Sequence, residues 1–341
     1  MNLSETQAKT DIAPGEMAPS RFMMPGVAAK LSRDEIADRY QACIDACRVP
    51  TGQRLVAVTP YYNPCGYWNR YYNYWEFALS LAKQGIELVT GEVVDRRGQG
   101  ELRDSIKFRA NSVMWHKERL VNLLVKQLPA TCDRVAWVDC DLIWKHAWQN
   151  RANEILDKYP LVQLFDRIIF MDDKARRSTE NARYGFSRAW MECRPSYPSS
   201  NHPPGGAWAA DRILFEKFGG LYDRLVSGGA DCFCAGAFIN AQLHNPVIAK
   251  CNRAIMEDYA DYARDVGKYT RGDIGYLNEI AWHLWHGKRE NKQYQERMDA
   301  MMKVNPRKHL EVSESGLYQW AGGANLDKDF KRYFQNRRED G

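Results

Sequence analysis

Apolar positions along the chain change period several times, and each change marks an element. Residues 1–30, rich in Ala, Pro, Ser and Met, show no period and read as a surface tail. Ile36, Tyr40 and Cys43 then recur at helical spacing behind Ser32-Arg33-Asp34-Glu35, which predicts a capped helix within 31–50. Leu55-Val56-Ala57-Val58 is an unbroken apolar run that stops at Thr59-Pro60, as a buried strand does. Helical spacing returns over Trp75–Lys83, ended by Gly85, over Trp115–Leu128, ended by Pro129, and over Ala147–Lys158. Strands are predicted over Ile86–Val94, Arg134–Val138 and Leu161–Phe165. Strands and helices in alternation predict an α/β fold, a mostly parallel sheet with helices on both faces.

From Asp166 to Pro204 the pattern breaks and predicts a long loop, of the length that is usually functional or mobile. Helices are expected again over Asp211–Phe218 and Ala230–Leu243, and Trp282–Gly287 ends the core. The expected organisation is a tail over 1–30, a helix over 31–50, one domain over 51–290 and a polar, helical, basic extension over 291–341. No internal repeat is present.

Composition adds little to the fold. Of 341 residues, 45% are hydrophobic and 27% charged, which is ordinary for a globular chain with a full core. No run approaches 18 apolar residues, so no membrane-spanning helix is expected. The first 30 residues lack a basic-then-apolar signal pattern, and the nine cysteines are odd in number and scattered. Both points lead to the expectation of reduced thiols and a cytoplasmic location. A net charge of +5 tolerates a polyanionic partner without demanding one. Eleven Trp and eighteen Tyr suit sites that stack against sugars or bases.

The sharpest chemical signal is Asp139-Cys140-Asp141, directly after the predicted strand Arg134–Val138. Carboxylates at the C-terminal end of a parallel strand sit over the crevice where such sheets bind ligands. There they suit a hard divalent cation, which in turn holds a diphosphate; a polar loop after a strand is the plainer reading. His286, in His283-Leu284-Trp285-His286-Gly287, supplies an imidazole of the kind that completes a carboxylate site, although either histidine could be a hydrogen-bonded core residue. Asp231 follows Ser227-Gly228-Gly229-Ala230 at a helix start, where it serves as an N-cap or as a general base. There is no G-x-x-x-x-G-K-[ST] phosphate loop, no G-x-G-x-x-G after the first strand and no G-x-S-x-G elbow.

Taken in order, these pieces resemble a group of bacteriophage glycosyltransferases with the GT-A fold. The resemblance rests on Arg54-Leu55-Val56-Ala57-Val58-Thr59-Pro60-Tyr61-Tyr62-Asn63-Pro64 and on Trp115-x-Lys117-Glu118-x-x-x-Asn122. It continues through Val135-Ala136-Trp137-Val138-Asp139-Cys140-Asp141, Val162-Gln163-Leu164-Phe165 and His202-Pro203-Pro204-Gly205-Gly206-Ala207-Trp208-Ala209-Ala210. Gly219–Asp223, Gly229-Ala230-Asp231 and Trp285-His286-Gly287-Lys288 complete it over roughly residues 54–300. One departure stands out: inverting members of the wider superfamily have Glu before the Asp, and here that position is Ala230.

The resemblance implies transfer of a sugar, of glucose type, from a UDP-sugar with Mn²⁺ or Mg²⁺, by inversion. It implies Asp141 and His286 as metal ligands, Asp139 on the ribose or on the metal through water, and Asp231 as catalytic base. Thr59, Pro60 and Tyr61 would hold base and ribose, Lys117 and Lys288 the phosphates, and Asn122 would lie at the donor site. Glu92 is either an acceptor for the uracil N3–H or a surface carboxylate; Trp208 is either a sugar-stacking wall or a core residue. The group is linked to DNA hypermodification and is distantly similar to the glucosyltransferase that makes base J. It therefore implies DNA as acceptor at 5-hydroxymethylcytosine, with a glycan, protein or lipid as the alternative and a catalytically dead binding module as a third reading. Residues 167–194 carry seven basic and four acidic side chains and interleave Tyr184, Phe186 and Trp190. That mixture suits a phosphate backbone and an unstacked base, with Arg176, Arg177, Arg183, Tyr184 and Trp190 as the contacts. Lys328, Lys331, Arg332, Arg337 and Arg338 add basic charge further on. A monomer is expected.

Overall fold

The structure is a computed structural model that describes residues 18–23, 25–173, 177–193, 197–199, 201–241 and 248–341. Its strands, in chain order, are β1 (Leu55–Tyr61), β2 (Leu88–Asp95), β3 (Ile106–Ala110), β4 (Arg134–Val138) and β5 (Leu142–Trp144). They continue with β6 (Leu161–Gln163), β7 (Arg167–Met171), β8 (Arg177–Tyr184), β9 (Ala207–Asp211), β10 (Gly275–Tyr276) and β11 (Ile280–His283). The short strands β12 (Leu310–Val312) and β13 (Tyr318–Trp320) form a hairpin.

Seven strands make the central sheet in the order β10-β6-β9-β4-β1-β2-β3. The β4-β1-β2-β3 half is parallel, and β9 runs antiparallel between β4 and β6. Side chains of a strand alternate between faces, and here both faces are covered. Val56 and Val58 enter a core with helices Lys117–Val125, Ala230–Phe238 and Arg253–Thr270. Leu55 and Ala57 enter a second core with helices Arg33–Ala46, Trp68–Lys83 and Gln149–Leu156. That is why β1 reads as an unbroken apolar run. The chain is α/β as expected, a mostly parallel mixed sheet with helices on both faces. Among the described residues no helix is long and apolar enough to cross a membrane.

Strand order reverses at β1, which has β2 on one side and β4 on the other. Such a switch opens a crevice at the C-terminal strand ends, and Asp139 is the first residue past β4. Asp141 leads straight into β5, which belongs to a second sheet ordered β5-β11-β7-β8. The Asp139–Asp141 turn therefore joins the two sheets.

Several elements differ from the sequence expectation. The stretch from Asp166 to Pro204 is no simple loop: it holds β7, β8 and helix Phe186–Cys193. β7 carries the apolar run Ile168–Met171, of which Ile168, Ile169 and Met171 are buried, so the loop expectation is corrected there; β8 is mostly polar in sequence, which gives apolar periodicity little to act on. Helix Ala230–Phe238 ends five residues earlier than predicted, and helix Trp68–Lys83 starts seven residues earlier. The aromatic run Trp68–Trp75 hides the helical period because most of that helix is buried. Segment 291–341 is not only helical, and it gives Met301, Val304, Leu317 and Tyr318 to the first core.

His116, just ahead of helix Lys117–Val125, is buried, and burial holds its pKa down at about 4. The unfolded chain binds a proton at this residue below about pH 6.5 and the folded chain does not, so stability falls as pH drops from 6.5 toward 4. At pH 4.5 the loss from this group is on the order of 2–3 kcal/mol. Urea unfolding at pH 7 and pH 4.5 should show a smaller stability difference for His116→Phe than for wild type; an equal difference would remove His116 as the source.

Candidate active site

A cleft of about 1080 Å³ opens at the strand-order switch. Two clusters of ionisable groups face it. The first is a line of charges, Asp139–Lys117–Asp231. The Lys117 ammonium lies 2.7 Å from one oxygen of Asp139 and 3.1 Å from Asp231 Oδ1. Asp139 is placed by its amide, which donates to the Gly206 carbonyl. Asp231 sits in the first turn of helix Ala230–Phe238, reached through Gly228 and Gly229, both at positive φ. Gly205 leaves room for this carboxylate, because a Cβ there would press on Asp231 Oδ2 and force it to move. Burial pulls the Lys117 pKa down, but the two carboxylates outweigh it and hold the ammonium charged. Burial, with Asp141 and Asp231 adding to it, raises Asp139 to about 6 against the pull of Lys117. Behind this line Glu118 is buried, and burial together with Asp231 pushes its carboxyl up to about 8.

The second cluster is Asp141, His283 and His286, with one ligand atom from each lying within 4.8 Å of the others. Strand pairing creates it. His283 of β11 is opposite Leu142 of β5, and the Leu284 amide donates to the Asp141 carbonyl. Asp141 Oδ2 is then 3.4 Å from His286 Nε2, and Asp141 Oδ1 is 3.8 Å from His283 Nε2. Burial lowers both imidazole pKa values, that of His283 to about 3, with Lys292 also lowering that of His286. Burial would raise Asp141, but the cations around it, Arg70 and Lys292 among them, pull it downward. The set is thus one carboxylate and two neutral imidazoles, a donor combination suited to a divalent transition ion. Asp141 Oδ1 is buried and lacks a hydrogen-bond partner among the described residues. These donors fit a cation.

A clasp from far along the chain backs this cluster. Glu339 is buried, takes a two-pronged bond from Arg70 at 2.7 Å, pairs with Arg337 and lies 3.5 Å from His286 Nδ1. A carboxylate on the far nitrogen directs the other nitrogen of His286 at Asp141. Asp340 accepts from the amides of Trp68 and Asn69 and so caps helix Trp68–Lys83, which carries Arg70. Lys292 stands 3.5 Å from His286 Nε2, and burial with Arg337 lowers its pKa to about 8.

Of the residues singled out from the sequence, Pro60, Lys117, Asp139, Asp141, Arg183, Asp231, His286 and Lys288 line the cleft. Asp139 is held by Lys117 and does not join the Asp141–histidine set. Five others turn into the fold. Thr59 is buried and its hydroxyl donates to the Val138 carbonyl, tying β1 to β4. Tyr61 is buried against Glu101, and its neighbour Tyr62 reaches the cleft instead. Glu92 is neither at the surface nor in the cleft: it accepts from the Glu101 and Leu102 amides and from Ser105. Asn122 shapes the turn at Leu221 through that residue's amide and carbonyl. Trp208 is a core residue whose indole donates to the Pro204 carbonyl.

The basic-aromatic stretch changes more. Trp190 is buried with its N–H on the Gly272 carbonyl, so it offers no ring to a base. Tyr184 is covered by the Arg188 guanidinium, 3.9 Å from its ring centroid. Arg337 is buried in the clasp. Arg176, and the side chain of Arg177 in β8, lie outside the described residues. Sequence reasoning missed Glu339, Arg70 and Lys292, because a buried ion pair between distant segments has no local pattern. It weighed His283 but gave the role to His286 alone.

No protein-family model matches the chain, and no curated protein matches it. The chain is similar to several solved structures. One is residues 1–349 of S. aureus TarS, at 14% identity and a TM-score of 0.38 over 68% of this chain and 60% of that one. Another is GalNAc-T7 with UDP, GalNAc and Mn²⁺, at 12% and 0.43 over 84% and 61%. A third is mannosyl-3-phosphoglycerate synthase from Rubrobacter xylanophilus, at 12% and 0.38 over 89% and 94%. The chain thus spans about three fifths of the first two. Scores at this level reach only a general outline of the fold, and the chemistry is read from the side chains of the cleft.

Proposed function

We propose that this chain is a metal-dependent glycosyltransferase that moves a sugar from a UDP-sugar to an acceptor hydroxyl. The observation that carries the reading is the placement of two different centres along one cleft. Asp141, His283 and His286 offer donors for a cation, and Asp231 stands apart from them on Lys117 and Asp139. Mn²⁺ or Mg²⁺ would be held by Asp141, His283 and His286, and when bound it would neutralise the departing diphosphate.

The side chains divide the rest of the work. Lys117, with Lys288 at the rim, supports the phosphate charge. The acceptor oxygen attacks the anomeric carbon as the bond from that carbon to the diphosphate breaks, and Asp231 takes the hydroxyl proton. Attack from the face opposite the leaving group inverts the anomeric centre. Asp231 suits this role because it is about one third exposed and so within reach of an incoming hydroxyl.

For the acceptor we propose 5-hydroxymethylcytosine in DNA. Arg183, Lys288 and Arg289 line the mouth of the cleft and give it a positive rim. A hydroxymethyl group in a duplex would reach Asp231 only on a flipped nucleotide, at a cost of a few kcal/mol. Burial of Trp190 and covering of Tyr184 remove two stacking surfaces, and this favours a glycan or protein acceptor as the second reading.

Asp231→Asn should keep donor binding and lose turnover on the order of 100-fold or more, measured with hydroxymethylcytosine DNA, Mn²⁺ and a panel of sugar nucleotides and read by nucleoside mass spectrometry. A near-normal rate would remove Asp231 from the chemistry, and retention at the anomeric carbon would remove the inverting scheme. Asp141→Ala and the double variant His283→Ala/His286→Ala should each abolish the Mn²⁺-dependent part of UDP binding in calorimetry; UDP binding that ignores Mn²⁺ in wild type would sink the metal site. Replacing Arg183 and Arg289 together by Ala should flatten the salt dependence of DNA binding by about two units. DNA glycosylation at the wild-type rate in that variant, or no DNA binding at low salt, would leave the acceptor to the second reading.

A further inference from the structure

Several charges inside the cleft are paired with one another. Lys117 faces two carboxylates, and Arg70 and Arg337 share Glu339. Arg297, from helix Tyr294–Met301, also lines the cleft and is only 8% exposed. Yet it has no acidic partner within ion-pair distance among the described residues. Its Nη1 donates to the Tyr333 hydroxyl at 2.9 Å, and its Nε, also buried, has no partner. The same hydroxyl takes a second bond from Arg337, so two cations converge on one neutral oxygen. Only Arg337 has a carboxylate to offset it.

The surroundings hold this guanidinium without neutralising it. The rings of Tyr294, Tyr333 and Trp115 lie 4.9, 5.1 and 5.9 Å from its central carbon. Ring faces stabilise a cation modestly and leave its planar edge free to donate. Below it Gly228 is at φ 83°, and a Cβ there would come within 2.8 Å of Nη1. The approach of this arginine thus depends on the same glycine turn that presents Asp231. A buried cation with no counter-ion is costly, and a bound anion relieves that cost. A guanidinium with an unpartnered donor and no counter-ion matches a phosphate in charge.

We propose that Arg297 is the anion-binding residue of the acceptor subsite and takes a phosphate group of the acceptor beside the Asp231 turn. The assignment to the acceptor side rests on the glycosyltransferase reading above; the anion site itself does not. The phosphate could be a phosphodiester, as in a nucleic acid, or a phosphomonoester on a small acceptor. In either case Arg297 would set which hydroxyl reaches Asp231 by fixing the phosphate near it.

The test uses calorimetry on the full chain with three probes: a short single-stranded thymidine oligonucleotide, glycerol 3-phosphate, and UDP with Mn²⁺. One of the first two should bind to wild type, and which one does separates diester from monoester. Arg297→Gln should weaken that binding about tenfold or more, and Arg297→Lys, which keeps the charge, should recover part of it. Thermal melts of both variants report whether they fold; if Arg297→Gln does not, the proposal stands on whether the phosphate probe raises the wild-type melting temperature. Binding of neither phosphate probe to wild type overturns it. So does an Arg297→Gln variant that binds them as wild type does, or that loses UDP affinity by the same factor, which would put Arg297 on the donor side. Failure of UDP to bind wild type with Mn²⁺ sinks the glycosyltransferase reading instead, and leaves the anion site to be judged by the other two probes.

Discussion

Charge cannot be taken out of water without compensation, and the cleft is organised by that constraint. An ion moved from water into a protein interior loses several kcal/mol unless partners replace its hydration. Here the partners come from segments far apart in the chain. Lys117 draws together the end of β4 and the start of helix Ala230–Phe238. Glu339 draws together helix Trp68–Lys83, the turn after β11 and its own segment. Each ionic cluster fixes the relative position of elements that apolar packing alone would leave free to slide. Arg297 is informative because it breaks the pattern.

The second constraint is register. The two sheets share the turn Asp139–Asp141, so a one-residue slip in β5 against β11 would carry His283 to the opposite face. Asp141 and His286 are 145 positions apart, yet their meeting needs only that one ladder and the Leu284 amide on the Asp141 carbonyl. Asp139 and Asp141 are two positions apart and face different centres. A D-x-D turn in this setting is a divider as much as a pair.

Four strands of the central sheet, β1, β2, β4 and β6, were legible in the sequence because they read as apolar runs, whereas β3, β9 and β10 were not. The turn Asp139–Asp141 could be placed for the same reason, since β4 ends where its apolar run ends. Asp231 and His286 were legible as chemistry at element boundaries. What stayed hidden has a common cause. Strand β8, Arg177–Tyr184, is mostly polar in sequence, so a period-two rule finds few apolar positions in it. Thr59, Tyr61 and Trp208 sit within motifs, yet the fold uses them for a hydroxyl tie, a core hydroxyl and an indole-to-carbonyl bond. Motif membership does not say which way a side chain faces. Glu339 and Arg70 have no pattern at all, because their pairing is a fact of three dimensions.

That pairing bears on how the protein is made. Arg70 and Glu339 are 269 positions apart, so a ribosome adding 5–20 residues per second releases the second roughly 10–50 s after the first. Throughout that interval the helix carrying Arg70 has neither its counter-charge nor the Asp340 cap on its first turn. The sheet can condense on its apolar faces in the meantime, because β1, β2 and β4 are already available. His286 gains its supporting carboxylate only when the later segment threads back. The cleft therefore cannot be completed until the segment that carries Glu339 has been made.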